Sequence, residues 1–405
     1  MHFSFNLFSS LLLIFFIHGL VYALLLYRKG VLNETRSDKW LSLFLFLCIL
    51  YICPWMTGFA GWYDTQPYRD ILFYTPFQHL YFIGPVIYFY VQSLLNPSFR
   101  FGKREWLQFV PGVLYLLYSV VMVTTDKLVL GDYYFLASGV DPDFDTWYQL
   151  TGFVSMLIYF LLAFRYYQLY LKLMVQVISY ADSVLFRWIR NFLLAFLVML
   201  AFRLLFFVLG EIFDLAYKGF WWYFLFFGIL FYYIAITGYA NSIETKVPFR
   251  TRGNGYPHTL LLLPAISDQQ EAITEEAEVI SVEPVLKKQS NEQLTGWKEK
   301  ILEQMQVHKA YEDPELSLAT VARELKTNPA VISRTINQGF EQNFNDFVNQ
   351  FRIDAVKEML DNDEHKKQTL LGIAFDCGFN SKATFNRAFK KATGLSPKEW
   401  LEKNG

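Results

Sequence analysis

Lys382, Asn386, Arg387 and Lys390 bring ammonium, amide and guanidinium groups to one side of a short segment. Their chemistry is hydrogen bonding and charge, suited to reading a polyanion. The stretch Thr369–Trp400 reads as two helices across a tight turn, then a third. Leu370, Ile373, Ala374 and Cys377 recur at helical spacing behind Thr369, a side chain that can cap the helix. Gly378 stands where a sharp turn needs positive φ. Ser381 caps the next helix, which buries Phe385 and Phe389 and turns Lys382, Asn386, Arg387 and Lys390 elsewhere. Gly394 stops it, and Ser396-Pro397-Lys398-Glu399 opens the last helix with a cap, Pro at N1 and Glu at N3. This is a helix-turn-helix whose second helix is equipped to enter a major groove.

A similar unit lies upstream. After a first helix from Trp297 to His308, Ser317 caps Leu318, Val321, Ala322 and Leu325. Asn328-Pro329 then opens Ile332 to Asn337. Between the two units, Phe344, Phe347, Val348, Phe351, Ala355 and Met359 mark one long helix. Such a rod, roughly 27 Å for 18 residues, would hold two recognition helices near the about 34 Å spacing of successive major grooves. Lys326-Thr327 stands where the second unit has Gly378-Phe379, so a different turn is expected there.

Gly378, Phe379, Phe385, Arg387, Phe389, Lys390, Lys391, Gly394, Ser396 and Pro397 together resemble the C-terminal signature of the AraC/XylS family of bacterial transcription regulators. The resemblance covers about the last quarter of the chain. It implies one monomer reading two adjacent grooves of double-stranded DNA, with Ala330, Ser333 and Arg334 offered by the first recognition helix. The second would offer Lys382, Ala383, Asn386 and Arg387. Arginine suits guanine and asparagine adenine, while Lys390 suits a phosphate. For Arg352, in the rod, an ion pair with a nearby carboxylate is the simpler reading. Charge in residues 292–405 nearly cancels, but Ser381–Lys403 holds six basic against two acidic residues. Affinity should depend on that face and fall with salt.

The rest of the chain must position this domain. Of 405 residues, 54% are hydrophobic, and the excess stops near Asn241, which excludes an ordinary soluble protein. Spans read at 5–27, 40–60, 71–95, 106–124, 147–170, 191–214 and 219–241, each long enough for about 30 Å of hydrocarbon. Pro111 and Thr124-Thr125 shorten the fourth. Basic residues cluster after span one (Arg28, Lys29, Arg36, Lys39), after span three (Arg100, Lys103, Arg104) and around the loop after span five (Arg165, Lys172, Arg187, Arg190). The alternate loops hold one each: Arg69, Lys127 and Lys218. The positive-inside rule places the N-terminus outside and the C-terminus in the cytoplasm, which an odd number of spans requires.

Ionisable groups at membrane depth are costly and tend to face a partner or a wet cavity. Arg203, Glu211 and His79 are therefore candidate sensing residues, against the simpler readings of an interhelical ion pair or a satisfied interior group. Gln78 and His79 could partner Arg203. The acidic, aromatic loop Asp126–Asp145 reads as a solvated loop, or as a ligand-facing lid. Trp221-Trp222-Tyr223 fits an interfacial belt.

From Pro248 the composition turns polar, with an acidic run from Asp268 to Glu283, and reads as a flexible tether reaching roughly 35–40 Å. Leu260–Leu263 is an apolar island within it. The expected architecture is all-α: a seven-helix transmembrane bundle (1–247), a linker (248–291) and a soluble domain with two helix-turn-helix units joined by a long helix (292–405). Cys48, Cys53 and Cys377 give no disulfide framework. No metal-ligand spacing, phosphate-cradling loop or nucleophile–base pair stands out, so neither an enzyme, a cofactor nor a metal site is expected. The reading is a regulator in a bacterial inner membrane, with DNA, the lipid membrane and an unknown small-molecule or envelope signal as partners, and a homodimer and RNA polymerase as further ones. The rivals are a transporter or intramembrane enzyme with an autoregulatory DNA-binding tail, and a regulator that is passively anchored.

Overall fold

The structure is a computed structural model; it describes residues 4–96, 99–137, 139–179, 187–213, 215–241, 249–251, 260–262, 291–362 and 368–404. The chain divides into two compact units, Met1–Tyr167 with Phe186–Glu244 and Gln168–Leu185 with Thr245–Gly405.

The first unit is a helical bundle built from α1 (Leu7–Leu32), α2 (Arg36–Phe59), α3 (Tyr68–Tyr74), α4 (Leu80–Leu95), α5 (Lys103–Trp106), α6 (Val110–Val123), α7 (Thr146–Val177, its last residues in the second unit), α8 (Arg187–Phe213) and α9 (Trp221–Ala240). Helix α2 is interior: it packs on α1, α4 and α9, and 72% of its apolar window is buried against 28% for α1. Close approach of α1 and α9 depends on Gly19, where a Cβ would lie 2.3 Å from the Phe231 ring.

Six helical stretches among the described residues are long and apolar enough to cross a membrane: Leu7–Leu32, Arg36–Phe59, Lys103–Leu130, Thr146–Val177, Trp188–Gly210 and Tyr217–Ala240. The expected third span is broken. Thr75–His79 separates α3 from α4 because Pro76 lacks an N–H and disfavours helix at Thr75. The 16 residues of α4 extend only about 24 Å. The amides exposed by the break are satisfied from afar, Asp143 accepting from Phe77 N (2.8 Å) and Gln78 N (2.9 Å). The fourth span is longer than expected: Pro111 sits in the first turn of α6, where no helical bond is lost, and π-helical turns carry it on to Leu130.

The loop Asp126–Asp145 is not simply solvated. Asp126 is buried and accepts from Tyr74 Oη (3.0 Å) and Phe135 N (3.1 Å). Asp141 and Asp143 are buried too, Asp143 accepting additionally from Tyr115 Oη (2.7 Å) and Asp141 from Tyr63 Oη (3.2 Å). Burial pushes both carboxyls up, Asp143 to about 6 and Asp141 to about 8. Asp143, with three donors, is the better site for the shared charge, and Asp141 for the proton. The folded pair holds protons more tightly than the unfolded chain. Its contribution is therefore most favourable below the ordinary carboxylate range and is lost as pH rises toward about 8. The melting temperature in lipid nanodiscs should fall between about pH 5 and pH 8, and Asp141→Asn should flatten that slope. An unchanged slope in the variant would place the titration elsewhere.

Of the expected aromatic belt, only Trp222 is exposed. Trp221 donates to Phe8 O (3.0 Å) and Tyr223 meets Tyr51 Oη (2.9 Å).

The second unit contains α10 (Asn291–Gln306), α11 (Leu318–Glu324), α12 (Pro329–Gly339), α13 (Phe344–Asp361), α14 (Leu370–Asp376), α15 (Lys382–Thr393) and α16 (Pro397–Asn404). Ile353, Val356 and Leu360 of α13 share a core with Ile373, Ala374, Cys377, Phe379, Phe385 and Phe389. Ile178 and Ser179, which follow α7, are built into this unit: Ile178 bridges Ser317, and Ser179 N donates to Leu316 O (3.1 Å). Most of the expected linker lies outside the described residues. Within it, Phe249–Thr251 pairs antiparallel with Leu260–Leu262, a minor addition to an all-α fold.

Candidate functional site

The helix-turn-helix units are set by their caps. Ser317 Oγ accepts from Thr320 N (3.2 Å), Asn328 Oδ1 from Ala330 N (2.8 Å), Thr369 Oγ1 from Gly372 N (3.1 Å) and Ser381 Oγ from Thr384 N (3.2 Å). The last helix has its reciprocal pair, Glu399 N to Ser396 Oγ (3.3 Å) and Ser396 N to Glu399 Oε2 (2.8 Å). The hydrogen bond donated by Ser396 N lowers the Glu399 pKa from its ordinary value.

The two turns repeat one another, contrary to expectation. Lys326 (φ 49°) and Gly378 (φ 89°) are both left-handed. Thr327 N reaches Ala322 O (2.8 Å) as Phe379 N reaches Ala374 O (3.0 Å). The chemistry differs because the surroundings do: a Cβ on Gly378 would lie 2.2 Å from Tyr311 O, whereas Lys326 is exposed.

Lys382, Ala383, Asn386, Arg387 and Lys390 are all exposed along α15, opposite buried Thr384, Phe385 and Phe389. Among the described residues no carboxylate lies in ion-pair range of Lys382 or Lys390. Lys391 instead pairs with Asp346 at 2.7 Å. In α12, Ala330 and Arg334 are half-buried and Ser333 is buried, its Oγ accepting from Asn337 Nδ2 (3.4 Å). The exposed positions of that helix are Asn337 and Gln338, which the sequence reading did not single out. Their amides lie past its first two turns, where spacing gives little signal.

Arg352 forms no ion pair with a carboxylate among the described residues. It is fully buried, its Nε donating to Tyr311 O (2.8 Å) and Nη2 to Asp313 O (2.7 Å) and Ser179 Oγ (3.0 Å). Nη1 reaches Asn349 Oδ1 (3.3 Å) and Ser179 O (3.4 Å). Neutral oxygens satisfy the guanidinium, which spares a carboxylate the desolvation cost of being buried beside it. Desolvation lowers its pKa only to about 10.

In the first unit, Arg203 and Gln78 are joined through a residue not anticipated, Gln149. Arg203 Nη2 donates to Gln149 Oε1 (2.7 Å), and Gln149 Nε2 donates to Gln78 Oε1 (2.8 Å) and to Asp143 O. An amide near the start of an apolar span was the available signal. His79 instead precedes α4 and meets Phe82 edge-on at 5.9 Å. Glu211 lies in α8, its side chain outside the described residues. Arg203 and Gln149 line a cavity of about 1310 Å³, open to the surface of the unit; His79 does not.

No curated protein and no solved structure matches the chain. A protein-family model described as a helix-turn-helix domain matches residues 321–403, which cover both turns, the rod and both recognition helices. Residues 321–403 are an AraC-type helix-turn-helix domain, the DNA-binding module of a transcription regulator.

Proposed function

We propose that this protein is a membrane-held, sequence-specific regulator that carries a signal from outside the cytoplasm to DNA. The observation that carries the reading is the exposed face of α15, with Lys382, Ala383, Asn386, Arg387 and Lys390 clear of the core. Arg334 and Ala330 supply the first helix's contribution. Residues 1–247 are proposed as the membrane domain, 248–291 as the linker and 292–405 as the DNA-binding domain. Segment 168–185 works with the last of these. The basic loops support an inner-membrane placement with the N-terminus outside, and the cavity supports a sensor over a passive anchor. A homodimer and RNA polymerase are the further proposed partners.

Selection from random duplexes by the full chain in nanodiscs tests the reading. The expected result is a motif of two half-sites about one helical turn apart. Arg387→Ala should cost about 1–3 kcal/mol and relax one base position, while Lys390→Ala should weaken all sequences alike and flatten the salt dependence. Sequence-blind binding that both variants weaken equally would remove the specific-regulator reading.

A further inference from the structure

We propose that the cavity of the first unit binds an amphipathic anion, its head on Arg203 and its apolar body against the aromatic wall around Trp55. This deepens the sensor reading and rests on it.

Donors are in excess at this site. A guanidinium has five N–H groups, and Arg203 uses one on Tyr51 Oη (3.2 Å) and one on Gln149 Oε1 (2.7 Å). Among the described residues no carboxylate is in ion-pair range of it. Trp55 also lines the cavity, and its indole Nε1 is buried without an acceptor. Buried donors of this kind cost stability unless something accepts from them. Arg69 and Lys218 add positive charge to the lining, against Asp64 and Asp141. Burial keeps Asp141 protonated up to about 8, so the balance favours an anion near neutrality.

The walls fix the rest of the ligand. Trp55 stacks on Tyr217 (4.6 Å) and Phe224 (4.5 Å), a flat apolar surface. Leu150 and Val154 of α7 and Leu204 and Phe207 of α8 line the cavity and are themselves exposed. In a bilayer these side chains face acyl chains, which gives an apolar body a lateral way in. The volume of about 1310 Å³ exceeds the roughly 300–1,000 Å³ usual for small-ligand pockets and accommodates a long tail.

Binding would also have an output. Arg203 holds Gln149 Oε1, and Gln149 Nε2 donates to Asp143 O and Gln78 Oε1. A ligand that draws the guanidinium toward itself therefore pulls on a chain of hydrogen bonds that ends in the loop before α7.

The test uses the full chain in phosphatidylcholine nanodiscs with radiolabelled laurate, against dodecylammonium of equal length. Saturable laurate binding at a single site is expected, with no comparable binding of the cation. Arg203→Gln should weaken laurate binding by about 10- to 100-fold. Val154→Trp, at an exposed position lining the cavity, should weaken it several-fold by blocking the lateral way in at unchanged melting temperature. Should Arg203→Gln fail to fold, Arg203→Lys, which loses the planar fork and should still weaken laurate binding, carries the comparison with Val154→Trp. Replacing part of the lipid by phosphatidylglycerol separates the sources: competition identifies a bilayer phospholipid as occupant, and its absence a free acid. Equal binding of anion and cation, or unweakened binding in the folded variants, overturns the site. Duplex binding is read on the same samples, so loss of DNA binding with intact laurate binding sinks the regulator reading alone.

Discussion

Arg352→Ala is expected to lower the opening free energy of the second unit by about 3–5 kcal/mol, from the core cavity and the several buried oxygens left without donors. The side chain is fully buried and gathers carbonyls from Tyr311 and Asp313 with the hydroxyl of Ser179. Its removal leaves a cavity and several oxygens without donors, each costing about 1–3 kcal/mol. Hydrogen exchange of α13 and α14 amides in the full-length protein measures the loss. Arg352→Lys should recover only part, since an ammonium cannot fork toward carbonyls on separate segments. A loss below about 1 kcal/mol would mean that solvent reaches those oxygens.

Gly378→Ala should be comparably severe. Left-handed backbone costs an L-residue about 1–2 kcal/mol, and here a methyl would also sit 2.2 Å from Tyr311 O. That oxygen is backbone and is the acceptor for Arg352 Nε, so it cannot move aside without breaking a second contact. A loss of roughly 3 kcal/mol or more is expected, with DNA binding abolished as α15 shifts. Lys326→Gly, at the matching turn, should change stability by less than about 1 kcal/mol, because that position already tolerates a side chain. Because Gly378 and Arg352 meet at one carbonyl, their combined loss should fall short of additivity. Melting curves of the two single variants and the double variant check both statements, and full additivity would separate the sites.

Local chemistry made the second unit readable. Ser317, Asn328, Thr369, Ser381 and Ser396 announce their helices because capping needs only a side chain and an amide two or three residues on. Phe385 and Phe389 announce the buried face of α15 by spacing alone. The long helices of the first unit followed from hydropathy in the same way. Long-range partners were not legible. Nothing near Pro76 reveals that a carboxylate more than sixty residues on caps the break, and nothing near Arg352 reveals Ser179. Lys326 looked unlike Gly378 because residue identity reports crowding as well as φ, and only Gly378 is crowded. Arg203 stood out as a charge at membrane depth, but its aromatic and amide neighbours are ordinary residues in apolar helices and gave no pattern of their own.

Ser179 precedes its partner Arg352 by 173 positions. At about 5–20 residues per second, translation delivers the acceptor roughly 9–35 s before the guanidinium it serves. The DNA-reading unit is therefore finished on a peg already laid down behind α7, and a chain started at residue 292 would emerge without it. Order of synthesis thus ties completion of this unit to prior translation of α7 and the residues just after it.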